Sequence, residues 1–131
     1  MNEHHCLLCM GSNTNRHAQL SVAREALRAT FPDIHFGEIM ETEAVGSGFR
    51  SPFSNQLAKF STTLSPDSVH YLFKELERRC GRIPEDKDQG VVKLDIDLLV
   101  FDKKILKPED MEREYIRRGM SVFFRTYTSL Y

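Results

Sequence analysis

Hydrophobic and polar positions alternate along this chain in blocks of two kinds, and each block predicts an element. Residues 6–10 are short and apolar and end at Gly11-Ser12-Asn13, which reads as a strand followed by a turn. From Arg16 to Thr30, Leu20, Ala23 and Leu27, with Phe31 next, recur near every 3.6 residues, predicting an amphipathic helix closed by Pro32-Asp33. Residues 34–45 alternate imperfectly and predict an irregular second strand. Residues 46–52 form a Gly- and Ser-rich loop, open to a role as a lid. Residues 53–64 alternate again, predicting a third strand.

Ser65-Pro66-Asp67 places a capping hydroxyl, a proline and an acid where a helix N-terminus favours them. Val69, Leu72, Phe73, Leu76 and Cys80 supply its apolar face, and Gly81 its end. A polar segment over 83–92 leads into Lys93-Leu94-Asp95-Ile96-Asp97-Leu98-Leu99-Val100-Phe101, a buried-looking strand interrupted by two carboxylates. A tight turn at 102–104 returns the chain through Ile105-Leu106. A short helix follows from Lys107 to about Gly119, and residues 121–131 read as a final strand. The order β-α-β-β-α-β predicts an α+β, ferredoxin-like sandwich in one domain spanning 1–131. Its sheet is mainly antiparallel, with helices on one face.

Composition narrows the function classes. With 131 residues, 40% hydrophobic content and a formal net charge of -1, there is no basic excess of the kind nucleic-acid partners require. No apolar run reaches the roughly 18 residues of a membrane span, and Met1–His5 shows no leader pattern. Three cysteines fit a reducing compartment, so cytoplasm is the expectation, with a monomer expected over an oligomer. Cys6 and Cys9 form a C-x-x-C preceded by His4 and His5. Three residues apart on a strand, however, the thiols point to opposite faces. His17, His70 and Cys80 read as solvated or structural.

Candidate chemistry centres on Asp95 and Asp97. On a strand they share one face, about 7 Å apart. Leu94, Ile96, Leu98 and Val100 point the other way, into a core. Two carboxylates on one face repel, which either leaves them in water or calls for a cation such as Mg²⁺ shared with substrate phosphates.

The companions of this pair carry a resemblance. Gly11-Ser12-Asn13 follows the first strand. Thr42 lies in the irregular second strand, Asn55 opens the third, and Glu77 with Gly81-Arg82 closes the second helix. Leu94-Asp95-Ile96-Asp97 heads the fourth strand, and Arg118-Gly119 comes later. In this order and spacing, over about residues 7–120, the chain resembles the 6-hydroxymethyl-7,8-dihydropterin pyrophosphokinase family, as a divergent, C-terminally short member. The resemblance implies Mg²⁺-dependent transfer of pyrophosphate from ATP to a reduced pterin alcohol in folate biosynthesis, giving AMP. It implies two Mg²⁺ on Asp95 and Asp97, with Arg82 beside them in the catalytic set. It further implies a pterin pocket from Thr42, Val45, Phe53 and Asn55, and ATP contacts from Glu77, Arg82 and Arg118.

The chain also departs from the family pattern. Pro84, Gln89 and Val92, with Lys93, stand where the family carries loop arginines and a tryptophan. Met120 replaces an aromatic residue, and Glu112 and Arg113 replace a His-Tyr pair. Lys87 and Lys93 are the cations at hand to compensate. A relative that binds nucleotide or pterin without turnover is therefore the alternative expectation.

Overall fold

The computed structural model describes residues 3–43 and 52–126, with side chains up to 121 in the last helix. Val45, most of the 46–52 loop and residues 127–131 lie outside the described residues. The elements are β1 (His4–Ser12), α1 (Arg16–Thr30), β2 (His35–Phe36), β3 (Met40–Thr42), β4 (Phe53–Thr62) and α2 (Pro66–Arg79). A 3₁₀ segment (Pro84–Gln89) follows, then β5 (Asp95–Phe101), β6 (Lys104–Ile105), α3 (Pro108–Met111) and α4 (Glu114–Thr126). The strands form one sheet in the order β2-β4-β1-β5-β6, with β3 also on β4, and every pair is antiparallel. This is the expected ferredoxin-like α+β plan.

Local chemistry sets the element ends. The Ser65 hydroxyl accepts from the backbone N–H of Ser68 at 3.2 Å, opening α2, and Gly81 closes it at φ 95°, a conformation that favours glycine. The second strand splits because its register on β4 shifts by one residue between Phe36–Ala58 and Met40–Asn55; before the shift Gly37 still donates its N–H to Leu57 O at 2.8 Å, and its carbonyl accepts from Gln56 Nε2 at 2.7 Å.

β1 is buried on both faces, which is why its apolar run is continuous. One face carries Cys6, Leu8 and Met10 into a core with Leu20, Ala23 and Leu27 of α1 and Val69, Phe73 and Leu76 of α2. Leu94, Ile96 and Leu98 of the β5 stretch join it. The other face carries Leu7 and Cys9 into a second core with Leu57, Leu99 and Ile116, against which Met40, Met111, Tyr115 and Met120 pack. The two helices of the ferredoxin-like plan therefore share one face, and the C-terminal helices cover the other as a third layer.

Two expectations are corrected. Residues 121–126 continue α4 rather than forming a strand, because Ile116 and Met120 repeat at helical spacing and seat the helix on the second face. Gly119 lets it approach closely: a Cβ there would lie 2.6 Å from Leu57 Cδ1. Val100 belongs to the second core, not the first. The β1–β5 register slips between Leu7 and Leu8, pairing Leu8 with Leu98 but Leu7 with Val100, so an extra residue turns Val100 to the opposite face.

Candidate active site

The site grows from one row of residues across the sheet. Gly11 pairs with Asn55 of β4 on one side and Asp95 of β5 on the other, and Asn55 pairs onward with Met40 of β3. Paired residues share a face, and neighbouring strands lie about 4.8 Å apart, so Asn55 and Asp95 flank Gly11 at about 10 Å. The next row is Leu57, Cys9 and Asp97. Cys9 and Leu57 belong to the second core, so Asp95, Asp97 and Asn55 all look toward that face at one end of the sheet. Gly11 keeps the floor between them open: a Cβ there would sit 2.6 Å from Asn55 Oδ1.

On the β4 side, Asn55 is buried and donates its amide to Thr42 Oγ1 at 2.9 Å, while Phe53 pairs with Thr42. Thr42, Phe53 and Asn55 are thus brought together. Val45 is outside the described residues. Below them, Glu41 accepts from Ser54 Oγ at 2.8 Å and from Arg16 Nη1 at 2.8 Å, tying β3 to β4 and to the start of α1.

On the β5 side, Arg82 Nη1 donates to Asp95 Oδ1 at 3.0 Å and to Glu77 Oε1 at 3.0 Å. Glu77 is buried rather than open to solvent. Its side chain is 3% exposed, Oε1 also accepts from Lys74 at 3.3 Å, and Oε2 accepts from the backbone N–H of Ile96 at 2.8 Å. It sits behind Arg82 and braces the guanidinium against β5. Arg82 and Asp95 remain about two-fifths exposed, open to a ligand.

Burial, then the charge of Asp95 and a hydrogen bond shared with it, push the Asp97 carboxyl up to about 7, and Lys107 pulls it part of the way back. A raised carboxylate of this kind marks a site short of positive charge. Among the described residues no group of three or more His, Cys, Asp or Glu comes together as a metal cage. Mg²⁺ does not need one. It takes one or two carboxylates and completes its shell with water and phosphate oxygens, so this pair of hard donors fits it.

Arg118 is exposed on α4. With Gly119 it lines a cavity of about 240 Å³ beside Glu38, Met40, Glu41 and Leu57, at the β3–β4 side of the same sheet face; Asp95 and Asp97 do not line it. Lys93 is also turned away. Its Nζ donates to Gly81 O at 2.8 Å and lies 3.4 Å from Asp86 Oδ2. Lys87 is exposed on the 3₁₀ segment. Cys6 and Cys9 point into separate cores on opposite faces, and burial raises both thiols, Cys6 to about 12. They do not chelate together.

The order and spacing of these residues agree with a comparison to known families. The family model described as 7,8-dihydro-6-hydroxymethylpterin-pyrophosphokinase matches residues 7–123. The chain belongs to this family. It is a pyrophosphokinase family of folate synthesis, and the match runs from within β1 into α4. No curated protein matches the chain. Against the family background, the residues that sequence reasoning passed over are Lys107 and Tyr115, both electrostatically felt by the Asp97 neighbourhood, and Asn13, quoted as part of a motif but given no task. For Asn13 the available signal was an amide following a strand end in a motif otherwise explained by backbone turn chemistry.

Proposed function

We propose that the chain transfers pyrophosphate from ATP to 6-hydroxymethyl-7,8-dihydropterin, releasing AMP. The observation that carries this reading is the row Asn55–Gly11–Asp95. It sets a heterocycle-binding amide and a cation-binding carboxylate about 10 Å apart across an open floor, room for a hydroxymethyl group to meet a phosphate chain between them. Asn55 offers a donor and acceptors to a pterin edge, with Thr42 Oγ1 fixing its orientation and Phe53 as an adjoining wall. Asp95 and Asp97 would hold two Mg²⁺, which supply neutralisation and orientation of the triphosphate when bound.

Arg82 is placed to shift from Asp95 onto a phosphate oxygen, since Glu77 holds its other contact. The pterin hydroxyl oxygen bonds the β-phosphorus, the bond from that phosphorus to the oxygen bridging it to the α-phosphate breaks, AMP leaves with that oxygen, and the hydroxyl proton passes to solvent. Such a transfer depends on positioning and charge neutralisation more than on covalent help.

The alternative reading is binding without turnover. It draws support from Lys93, whose ammonium is engaged by Gly81 and Asp86 rather than turned to the phosphates. AMP release from ATP with the reduced pterin alcohol and Mg²⁺ decides between the two: turnover supports transfer, and calorimetric binding of both ligands without AMP supports the alternative.

A further inference from the structure

The Gly11-Ser12-Asn13 turn does more than end a strand. Asn13 is buried, and it engages the segment that leads into β5 through three contacts. Its backbone N–H donates to Val92 O at 2.9 Å, its Nδ2 donates to Gly90 O at 2.9 Å, and its Oδ1 accepts from the Val92 N–H at 2.6 Å. Ser12 Oγ adds a contact to Val92 O at 3.3 Å. At its other end the same segment is closed on itself. The Ile83 N–H donates to Asp86 Oδ2 at 3.1 Å, Asp86 is buried, and Lys93 spans from Gly81 to Asp86. The stretch 83–93 is thus tied down at both ends.

The position of the clamp matters. Asn13 is two residues beyond Gly11, the centre of the site floor, and Val92 is three residues before Asp95. The side chain of Asn13 therefore ties the end of β1 to the start of β5 where the two strands form that floor. We infer that Asn13 is a positioning residue. It touches no substrate, and through Gly90 and Val92 it fixes the register of the 90–95 approach, and with it the Asp95 carboxylate, relative to Gly11 and Asn55. This rests on the pyrophosphate-transfer reading for its catalytic consequence, but the clamp itself is a property of the chain. Misplacement of a reacting group by about 1 Å can cost 10²-fold in rate, so a positioning role shows in turnover rather than in ground-state affinity.

The test uses the full chain and two variants. Asn13→Asp keeps the acceptor for Val92 N–H and replaces the donor to Gly90 O with a second oxygen, and Asn13→Ala removes both side-chain contacts. Amide hydrogen exchange is read on peptides covering 83–94, with peptides from β4 and α2 as references. The expected result is exchange in 83–94 about tenfold faster in Asn13→Ala and intermediate in Asn13→Asp, with the references unchanged. In AMP-release kinetics kcat falls tenfold or more, a larger factor than any loss of affinity for Mg²⁺ with α,β-methylene-ATP. Exchange in 83–94 unchanged in both variants, or a rise shared equally by β4 and α2, overturns the clamp. Unchanged kcat, or an equal loss of nucleotide affinity, overturns the positioning role. A wild-type chain that releases no AMP sinks the transfer reading and the catalytic consequence with it, whereas the exchange result decides the clamp by itself.

Discussion

Arg82 Nη1 holds Asp95 Oδ1 at 3.0 Å, so the carboxylate that heads β5 is already matched by a cation from the end of α2. The pair is partly open to water and is worth little to stability. In the proposed transfer its importance is to ligand binding, with Arg82 exchanging Asp95 for a phosphate oxygen. Arg82→Ala is expected to weaken Mg²⁺-dependent binding of α,β-methylene-ATP by about 10²-fold, on the scale of about 3 kcal/mol for one lost charge-stabilising donor. Arg82→Lys is expected to recover only part of this, because an ammonium cannot reach Glu77 and a phosphate as a fork. Titration calorimetry reads both, and equal affinity in the alanine variant would remove Arg82 from the site.

Glu77 carries the opposite expectation. Its side chain is 3% exposed and satisfies Arg82, Lys74 and the Ile96 N–H. Glu77→Ala leaves the buried Ile96 N–H without its acceptor and Arg82 with Asp95 as its remaining carboxylate, and is expected to cost about 2–4 kcal/mol of stability. Urea unfolding checks this, and an unchanged midpoint would show that Glu77 is not a brace.

Gly11→Ala tests the floor. A methyl group 2.6 Å from Asn55 Oδ1 must displace Asn55 from Thr42. Overpacking of this kind costs about 1–3 kcal/mol, and pterin affinity is expected to fall tenfold or more while nucleotide affinity holds. Calorimetry with each ligand separately distinguishes this from a general loss of fold, which would lower both.

Asp97 gives a pH dependence. Its folded-state carboxyl titrates at about 7, above the ordinary carboxylate value, because of burial and then Asp95. Without a bound cation the folded state therefore holds a proton that the unfolded chain releases near pH 4. The stability this contributes is full below about pH 4 and is lost as pH rises through about 7. Asp97→Asn removes that loss, and is expected to make the cation-free protein more stable at pH 8 by on the order of 1–2 kcal/mol, solvent around the pair screening the rest. The difference should vanish near pH 4. The same substitution should abolish Mg²⁺-dependent nucleotide binding. Thermal unfolding with EDTA at the two pH values checks it, and a variant less stable than wild type at pH 8 would contradict it.

What was legible in the chain was what local pattern controls. The Leu20-Ala23-Leu27 period marked α1 at both ends, Ser65-Pro66-Asp67 marked the start of α2, and the period of two put Asp95 and Asp97 on one face, opposite Leu94, Ile96 and Leu98. Pattern failed where a distant partner decides. The bulge that turns Val100 over arises from pairing with Leu7 and Leu8, which no window around Val100 contains. Residues 121–126 alternate like a strand, yet continue a helix seated by Ile116 and Gly119 on Leu57 and Met40. In the site, the carboxylates could be placed from strand geometry alone. The burial of Glu77 and the clamp by Asn13 could not, since their partners lie 19 and 77 residues away.

Pyrophosphate transfer on the Asn55–Gly11–Asp95 floor is the proposed function. The most direct measurement is AMP release by the full chain from ATP and 6-hydroxymethyl-7,8-dihydropterin, with and without Mg²⁺, beside Asp95→Asn. AMP formed in proportion to pterin diphosphate, dependent on Mg²⁺ and reduced at least 10²-fold in Asp95→Asn, is the predicted result. No AMP at high protein concentration, or equal release by Asp95→Asn, would contradict it.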